Sequence, residues 1–207
     1  MTDWIAAVPD NPRAYDNLAA VRLANSPGRY VEAESLWVRA IAADSSYIPA
    51  WTNLSDVAMQ QGKEARALAL LETALRFKPS AVDAARRYGG VLLKLGRARE
   101  AVPHLQRVAL ADPTEDGLIM LAIAQIESGQ PALAIDPLRR AISANPARID
   151  AAANLGMLLA RHGSASEAIP LLRAANRMDP DNGAMLSSLA LAYARAGRVE
   201  DAFGSAL

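Results

Sequence analysis

The chain is 207 residues long, and its 22 basic residues balance 22 acidic ones at a pI near 6.7. A neutral chain lacks the positive footprint that phosphate recognition needs, which excludes nucleic acid as the expected partner. It has no cysteine, so no disulfide and no thiolate metal site.

The first residues, MTDWIAAVPDNP, carry no basic leader of the signal-peptide kind. No apolar run approaches the ~18 residues of a membrane span. The expected setting is cytoplasmic, without membrane contact. The composition is 52% hydrophobic but only 5% aromatic. Alanine and leucine supply the apolar content, which favours closely packed helices.

Pro79, Pro113, Pro146 and Pro180 stand 34, 33 and 34 residues apart. Gly62, Gly96, Gly129, Gly163 and Gly197 keep the same rhythm, as do Ala67, Ala101, Ala134, Ala168 and Ala202. Three ladders with one period signal a stacked repeat. In chain order, residues 1–11 read as a helical stub. Within it, residues 2–8 end a preceding helix and Trp4 docks on the next unit, since Pro9-Asp10-Asn11 matches Pro180-Asp181-Asn182. The first unit, 12–47, is divergent. Tyr15, Asn17, Leu18 and Ala19 fall on its first helix (A), and Ala33, Trp37 and Ala40 on its second (B). A longer turn, Asn25-Ser26-Pro27-Gly28, joins them.

The second unit, 48–81, places Trp51, Leu54, Ser55 and Ala58 on one helical face at i, i+3, i+4 and i+7. Gly62 then breaks the chain, because it takes φ > 0 at low cost. Ala67, Leu71 and Ala74 mark helix B. Unit three, 82–114, carries Tyr88-Gly89, Leu92, Gly96, Ala101, Leu105 and Pro113. Unit four, 115–148, carries Leu118, Leu121-Ala122, Gly129, Ala134, Leu138, Ala141 and Pro146. Unit five, 149–182, carries Leu155-Gly156, Leu159, Gly163, Ala168, Leu172, Ala175 and Pro180. Unit six, 183–207, is truncated, with Leu186, Leu189-Ala190, Tyr193, Gly197 and Ala202 in phase. It stops inside helix B, without the polar cap that a terminal repeat needs. The chain is therefore expected to be a piece of a longer protein, or to end naturally and pair with a second copy there. Pro103, Pro137 and Pro170 are expected in the first turns of their B helices, where a missing N–H costs little.

This phased set resembles the tetratricopeptide-repeat (TPR) family over nearly the whole chain. The resemblance implies an all-α fold, a right-handed α-solenoid of TPR helix-turn-helix repeats forming one continuous domain. The ladder alanines then lie where two helices cross closely. The family also binds another protein or peptide along its A helices, and their inner positions can be carried over. The first half is mixed and charged, with Arg13, Asp16, Asp56, Asp83 and Arg86. The second half is apolar apart from Asp116 and Asp150, with Ile119, Ile123, Ile126, Met157 and Leu191. Left in water, these would form a patch that soluble monomers avoid. Either an amphipathic helix or apolar peptide covers them, or superhelical curvature buries them against neighbouring helices.

One unit position carries Asn17, Asn53 and Asn154, with Arg87 in unit three. Similar asparagine ladders line the TPR groove of O-linked N-acetylglucosamine transferases. An amide both donates and accepts, so it can grip a peptide backbone; a local helix-to-loop bond is the alternative. The chaperone-tail clamp of some TPR cochaperones is not expected. Its places fall on Asp16, Ala20, Asn53, Asp83 and Arg87, with acids where two lysines belong. Asp83, Asp116 and Asp150 recur near A-helix starts, either as an acidic edge or as N-terminal stabilisers.

No catalytic residue, metal or cofactor is expected. His104 and His162 have no phased carboxylate partner, and Gly89-Gly90 lies inside a helix, not in a phosphate-cradling loop. The reading is a protein-interaction scaffold. Two alternatives stand beside it. One is a substrate-recruiting domain of a larger bacterial enzyme of glycosyltransferase, sulfotransferase or aspartyl/asparaginyl hydroxylase type. The other is a structural assembly module that dimerises through its uncapped C-terminal end.

Overall fold

Among the described residues the first five periods each fold as a pair of helices, because their apolar residues recur every three or four positions, and in the second to fifth a glycine interrupts them midway. The computed structural model describes residues 11–25, 30–198 and 200–201. The expected stub at 2–8 with Trp4, the turn residues 26–29 and Ala202 lie outside the described residues. The elements are α1 (Pro12–Asn25), α2 (Tyr30–Ala43), α3 (Ile48–Gln60), α4 (Glu64–Phe77), α5 (Val82–Lys94) and α6 (Ala98–Ala111). They continue with α7 (Glu115–Glu127), a 3-10 turn (Pro131–Ala134), α8 (Ile135–Ala144), α9 (Ile149–His162), α10 (Ala165–Asn176) and α11 (Gly183–Arg195). Among the described residues there is no strand.

By its contacts the chain divides into two compact units, Met1–Val108 and Ala109–Leu207. Within the first, α1 packs on α2, α2 on α3, α3 on α4 and α4 on α5. Within the second, α7 packs on α8, α8 on α9, α9 on α10 and α10 on α11. Successive A helices also touch: α1 with α3, α3 with α5, and α9 with α11.

Four of the five ladder glycines end their A helices in the left-handed conformation, Gly62, Gly96, Gly129 and Gly197, with φ between 69° and 83°. At the first, the Gly62 N–H donates to the Met59 carbonyl at 3.1 Å and the Lys63 N–H to the Ala58 carbonyl at 2.8 Å. This is the Schellman arrangement, and it recurs at the other three. Gly163 departs from the ladder. Helix α9 runs one residue longer, and the Gly163 N–H still donates helically to Leu159 at 3.0 Å. A Cβ there would lie 2.7 Å from Leu159 Cδ2, so a larger residue would require that leucine's end to move aside.

The helices of a pair are held at a distance set by one contact. Leu71, Leu105, Leu138 and Leu172 on the B helices are fully buried. Each follows by sixteen residues a small residue on helix A: Ser55, Gly89, Ala122 and Gly156. A Cβ at Gly89 would fall 2.6 Å from Leu105 Cγ, and one at Gly156 2.7 Å from Leu172 Cγ. In the divergent first unit Ala19 and Trp37 take these places, inside a cluster with Tyr15, Ala33, Ala40, Ala50, Leu54 and Val57. The alanines Ala67, Ala101, Ala134 and Ala168 have no exposed surface either.

The expected place of the B-helix prolines needs correction. Pro103 and Pro170 are the sixth residues of α6 and α10, a full turn and a half inside. Each leaves one carbonyl without its helical partner, that of Arg99 or Ser166. The prolines and both of these residues lie on exposed positions, where water can replace the lost N–H. In the fourth repeat a second proline, Pro131, opens the segment, and the first turn is 3-10, followed by α8 with Pro137 as its third residue. A 3-10 turn bonds i to i+3, so it tolerates the N–H that Pro137 cannot give to Leu133.

Replacing Ala101 with leucine inserts three carbons where no surface is free. We expect it to cost about 1–3 kcal/mol of stability, read as a lower urea midpoint with an unchanged m-value.

Candidate functional site

The polar residues of the A helices sort into those bound to a neighbouring repeat and those left free. Asp16 on α1 is the centre of the first group. The Trp37 indole N–H and the Asn53 amide both donate to its Oδ1 at 2.8 Å, and the Tyr47 hydroxyl donates to Oδ2 at 2.8 Å. Burial, together with the Asp16 carboxylate, pushes the Tyr47 phenol above its ordinary value. One carboxylate thus ties α1 to α2, to the turn after it and to α3. Sequence reasoning placed Asp16 on the ligand face and missed this role. A buried tryptophan one helix away was the available signal.

Arg87 on α5 is likewise engaged. Its Nε donates to Asp83 Oδ2 at 2.9 Å and its Nη1 to Asp56 on α3. Burial acts to raise the Asp83 carboxyl, but hydrogen bonds from Arg87 and Arg86 outweigh it and hold the group below its ordinary value. Arg148, before α9, forks onto Asp150 at 2.8 and 3.0 Å and reaches Asp116 on α7 at 2.6 Å. The Arg148 hydrogen bonds hold the Asp150 carboxyl low. Asp83, Asp116 and Asp150 are therefore members of ion pairs. The N-cap bonds come from Asn11, Thr114, Ser164 and Asn182.

Two clefts open on the A helices. The first, about 360 Å³, lies in the unit Met1–Val108 and is lined by Leu23, Trp37, Asn53, Asp56, Val57 and Gln60, with Ala20 and Ala24. The second, about 430 Å³, lies in the unit Ala109–Leu207 and is lined by Ile126, Pro131, Asn154, Met157, Leu158, Arg161 and His162, with Gly129. Helix α9 touches the 3-10 turn, and the second cleft is bounded by both together with Ile126 near the end of α7.

The residues expected to meet a ligand separate accordingly. Ile126, Asn154 and Met157 come together in the second cleft, and Asn53 lines the first. Ile123 is half-buried outside both, Leu191 is 39% exposed, and Asn17 is exposed, its side chain without a hydrogen bond among the described residues. Ile119 is buried at 5% exposure and offers no surface to a ligand. The asparagine ladder is not uniform. Asn53 bonds across to α1, neither to a loop nor to open space, whereas the Asn154 amide has no hydrogen-bond partner among the described residues. Arg161 was not singled out from the sequence, and His162 was weighed there only as a catalytic or metal-binding candidate and set aside, although both fall about one turn beyond Met157 on the same helix. His104 lies elsewhere, its ring packed on Tyr88 with centroids 4.7 Å apart and its Nδ1 3.0 Å from an Arg107 nitrogen.

A tetratricopeptide-repeat family model matches residues 58–126, and a second matches 119–182 and 154–207. The chain belongs to the tetratricopeptide-repeat family. Among solved structures it is similar to YrrB, a TPR protein with an unusual peptide-binding site, at 25% identity and a TM-score of 0.75 over 82% of this chain and 88% of that one. It is also similar to MamA from Desulfovibrio magneticus RS-1, at 20% identity and 0.70 over 83% and 97%. The Pseudomonas aeruginosa protein PilF shares the TPR-like fold at 18% identity and 0.74 over 94% and 88%. No curated protein sequence matches the chain. Among the described residues of this TPR protein, no helix is long and apolar enough to cross a membrane.

Two outcomes test the polar framework. Replacing Asp16 with alanine leaves the Trp37 indole N–H, in a residue only 3% exposed, without its acceptor. The expected loss is about 2–3 kcal/mol, measured by urea unfolding. A carboxyl held below its ordinary value of 3.8, as Asp83 is, contributes stability that is complete above that value and lost as pH falls through the lower folded value. The stability of Asp83→Asn should therefore fall less steeply than that of the parent chain as acid is added below pH 3.8.

Proposed function

We propose that this TPR protein is an interaction scaffold that binds a peptide or helix of a partner protein along its A helices. The observation that supports this most directly is the pair of clefts at equivalent places of the repeat. Each lies between successive A helices, and residues of each lie 101 positions from their counterparts: Asn53 with Asn154, Asp56 with Met157, Val57 with Leu158, Gln60 with Arg161. Their volumes suit one or two side chains each, too little for a globular surface but enough for anchors projecting from a peptide. The peptide-binding site of YrrB supports the same reading by analogy.

The test is capture of partners from lysate by the parent chain, by Ile126→Asp/Met157→Asp, and by the control Val31→Asp. Val31 lies on helix α2 at 82% exposure. With all three folded by circular dichroism, the cleft variant should lose a protein that the parent and the control both retain. Equal capture by all three would overturn the proposal.

A further inference from the structure

The two clefts share a place in the repeat but not a chemistry. In the first, the Asn53 amide is held by Asp16, and the one charged lining residue is Asp56, itself paired with Arg87. In the second, the counterparts of Asp56 and Gln60 are Met157 and Arg161, and His162 follows. Neither Arg161 nor His162 makes a side-chain hydrogen bond or ion pair among the described residues, and the Asn154 amide is equally unpartnered. The equivalent arginine of the next repeat behaves otherwise. Arg195 donates across to the carbonyls of Ala160 and Arg161, at 2.8 and 2.6 Å, closing the end of α9. Arg161 makes no such bond to α7 and stands exposed at the rim of an apolar floor built by Ile126, Met157 and Leu158.

We propose that the cleft between α7 and α9 takes an internal segment of a partner protein in which an apolar side chain is followed closely by an aspartate or glutamate. This rests on the scaffold reading above and names the ligand chemistry of one site. The apolar side chain fills the floor. The carboxylate meets the Arg161 guanidinium, whose planar fork matches it with two parallel N–H donors. Asn154 holds the segment's backbone. Met157 and Arg161 are one turn apart on α9, about 6 Å along its axis. The two ligand groups must then be spaced about two residues apart in an extended segment or about four in a helical one. The rim at Arg161 and His162 is exposed, so a chain can run on past it and no terminal carboxylate is required.

The test is selection of random dodecapeptides, displayed with both ends joined to further chain, on the full-length protein and on Arg161→Glu. Selection on the parent should enrich an apolar residue with an acid two or four positions away by about fivefold over the starting library. Selection on Arg161→Glu should keep the apolar enrichment and lose the acid, or replace it with lysine or arginine. Arg161→Gln, which removes the charge without reversing it, repeats the test if the reversal perturbs the thermal melt. Peptides enriched without acids, or with acids equally on the variants, would overturn this inference and leave the scaffold reading standing. A free-ended library in which acids emerge only at the terminus would also overturn it. No enrichment on any of the proteins would overturn both.

Discussion

A leucine pressed against a place with no room for a side chain sets the spacing of the helical hairpins. Leu105 against Gly89 and Leu172 against Gly156 leave less than a carbon–carbon contact for any added Cβ. Where helix A carries Ala122 or Ser55, the opposing Leu138 and Leu71 are still fully buried. A fixed hairpin width fixes where the next hairpin docks, and in a repeat protein each unit rests mainly on its neighbours. Stability is thus assembled from many similar interfaces of modest size. The side chains pointing away from those interfaces are left free to vary, and they line the clefts together with core residues such as Trp37, Val57 and Leu158.

Polar contacts between repeats are solved differently each time. Asp16 gathers three donors across α1, α2 and α3. Arg87 bridges two carboxylates on α3 and α5. Arg148 bridges two on α7 and α9. Arg195 reaches the carbonyl end of α9. Exposed ion pairs contribute little to stability, so their variation costs the fold little. The Asp16 cluster differs in kind, because it satisfies the indole of a buried tryptophan, and an unmet buried donor is costly.

These differences matter for binding. A repeat scaffold offers equivalent places at regular intervals, and what distinguishes them is which groups have been claimed by a neighbouring repeat. The asparagine of the first cleft is claimed and that of the second is not. Similarity to YrrB, MamA and PilF extends over most of this chain at 18–25% identity, which is the similarity of a scaffold, not of a ligand surface.

The period, the pairing of helices, the phased core and most helix ends were legible in the sequence alone. They depend on residues a few positions apart, and local spacing dictates which side chains share a helical face. Even so, Gly163 and the prolines Pro103 and Pro170 escaped that reading, since a helix can run one residue on or accept an exposed proline without changing its pattern. The tertiary structure alone decided that Asn53 is bound and Asn154 free, that Ile119 is buried and Met157 lines an opening, and that Arg161 and His162 stand beside it. Those outcomes are set by distances between helices brought together from separate repeats. No spacing along the chain encodes how closely two such helices approach.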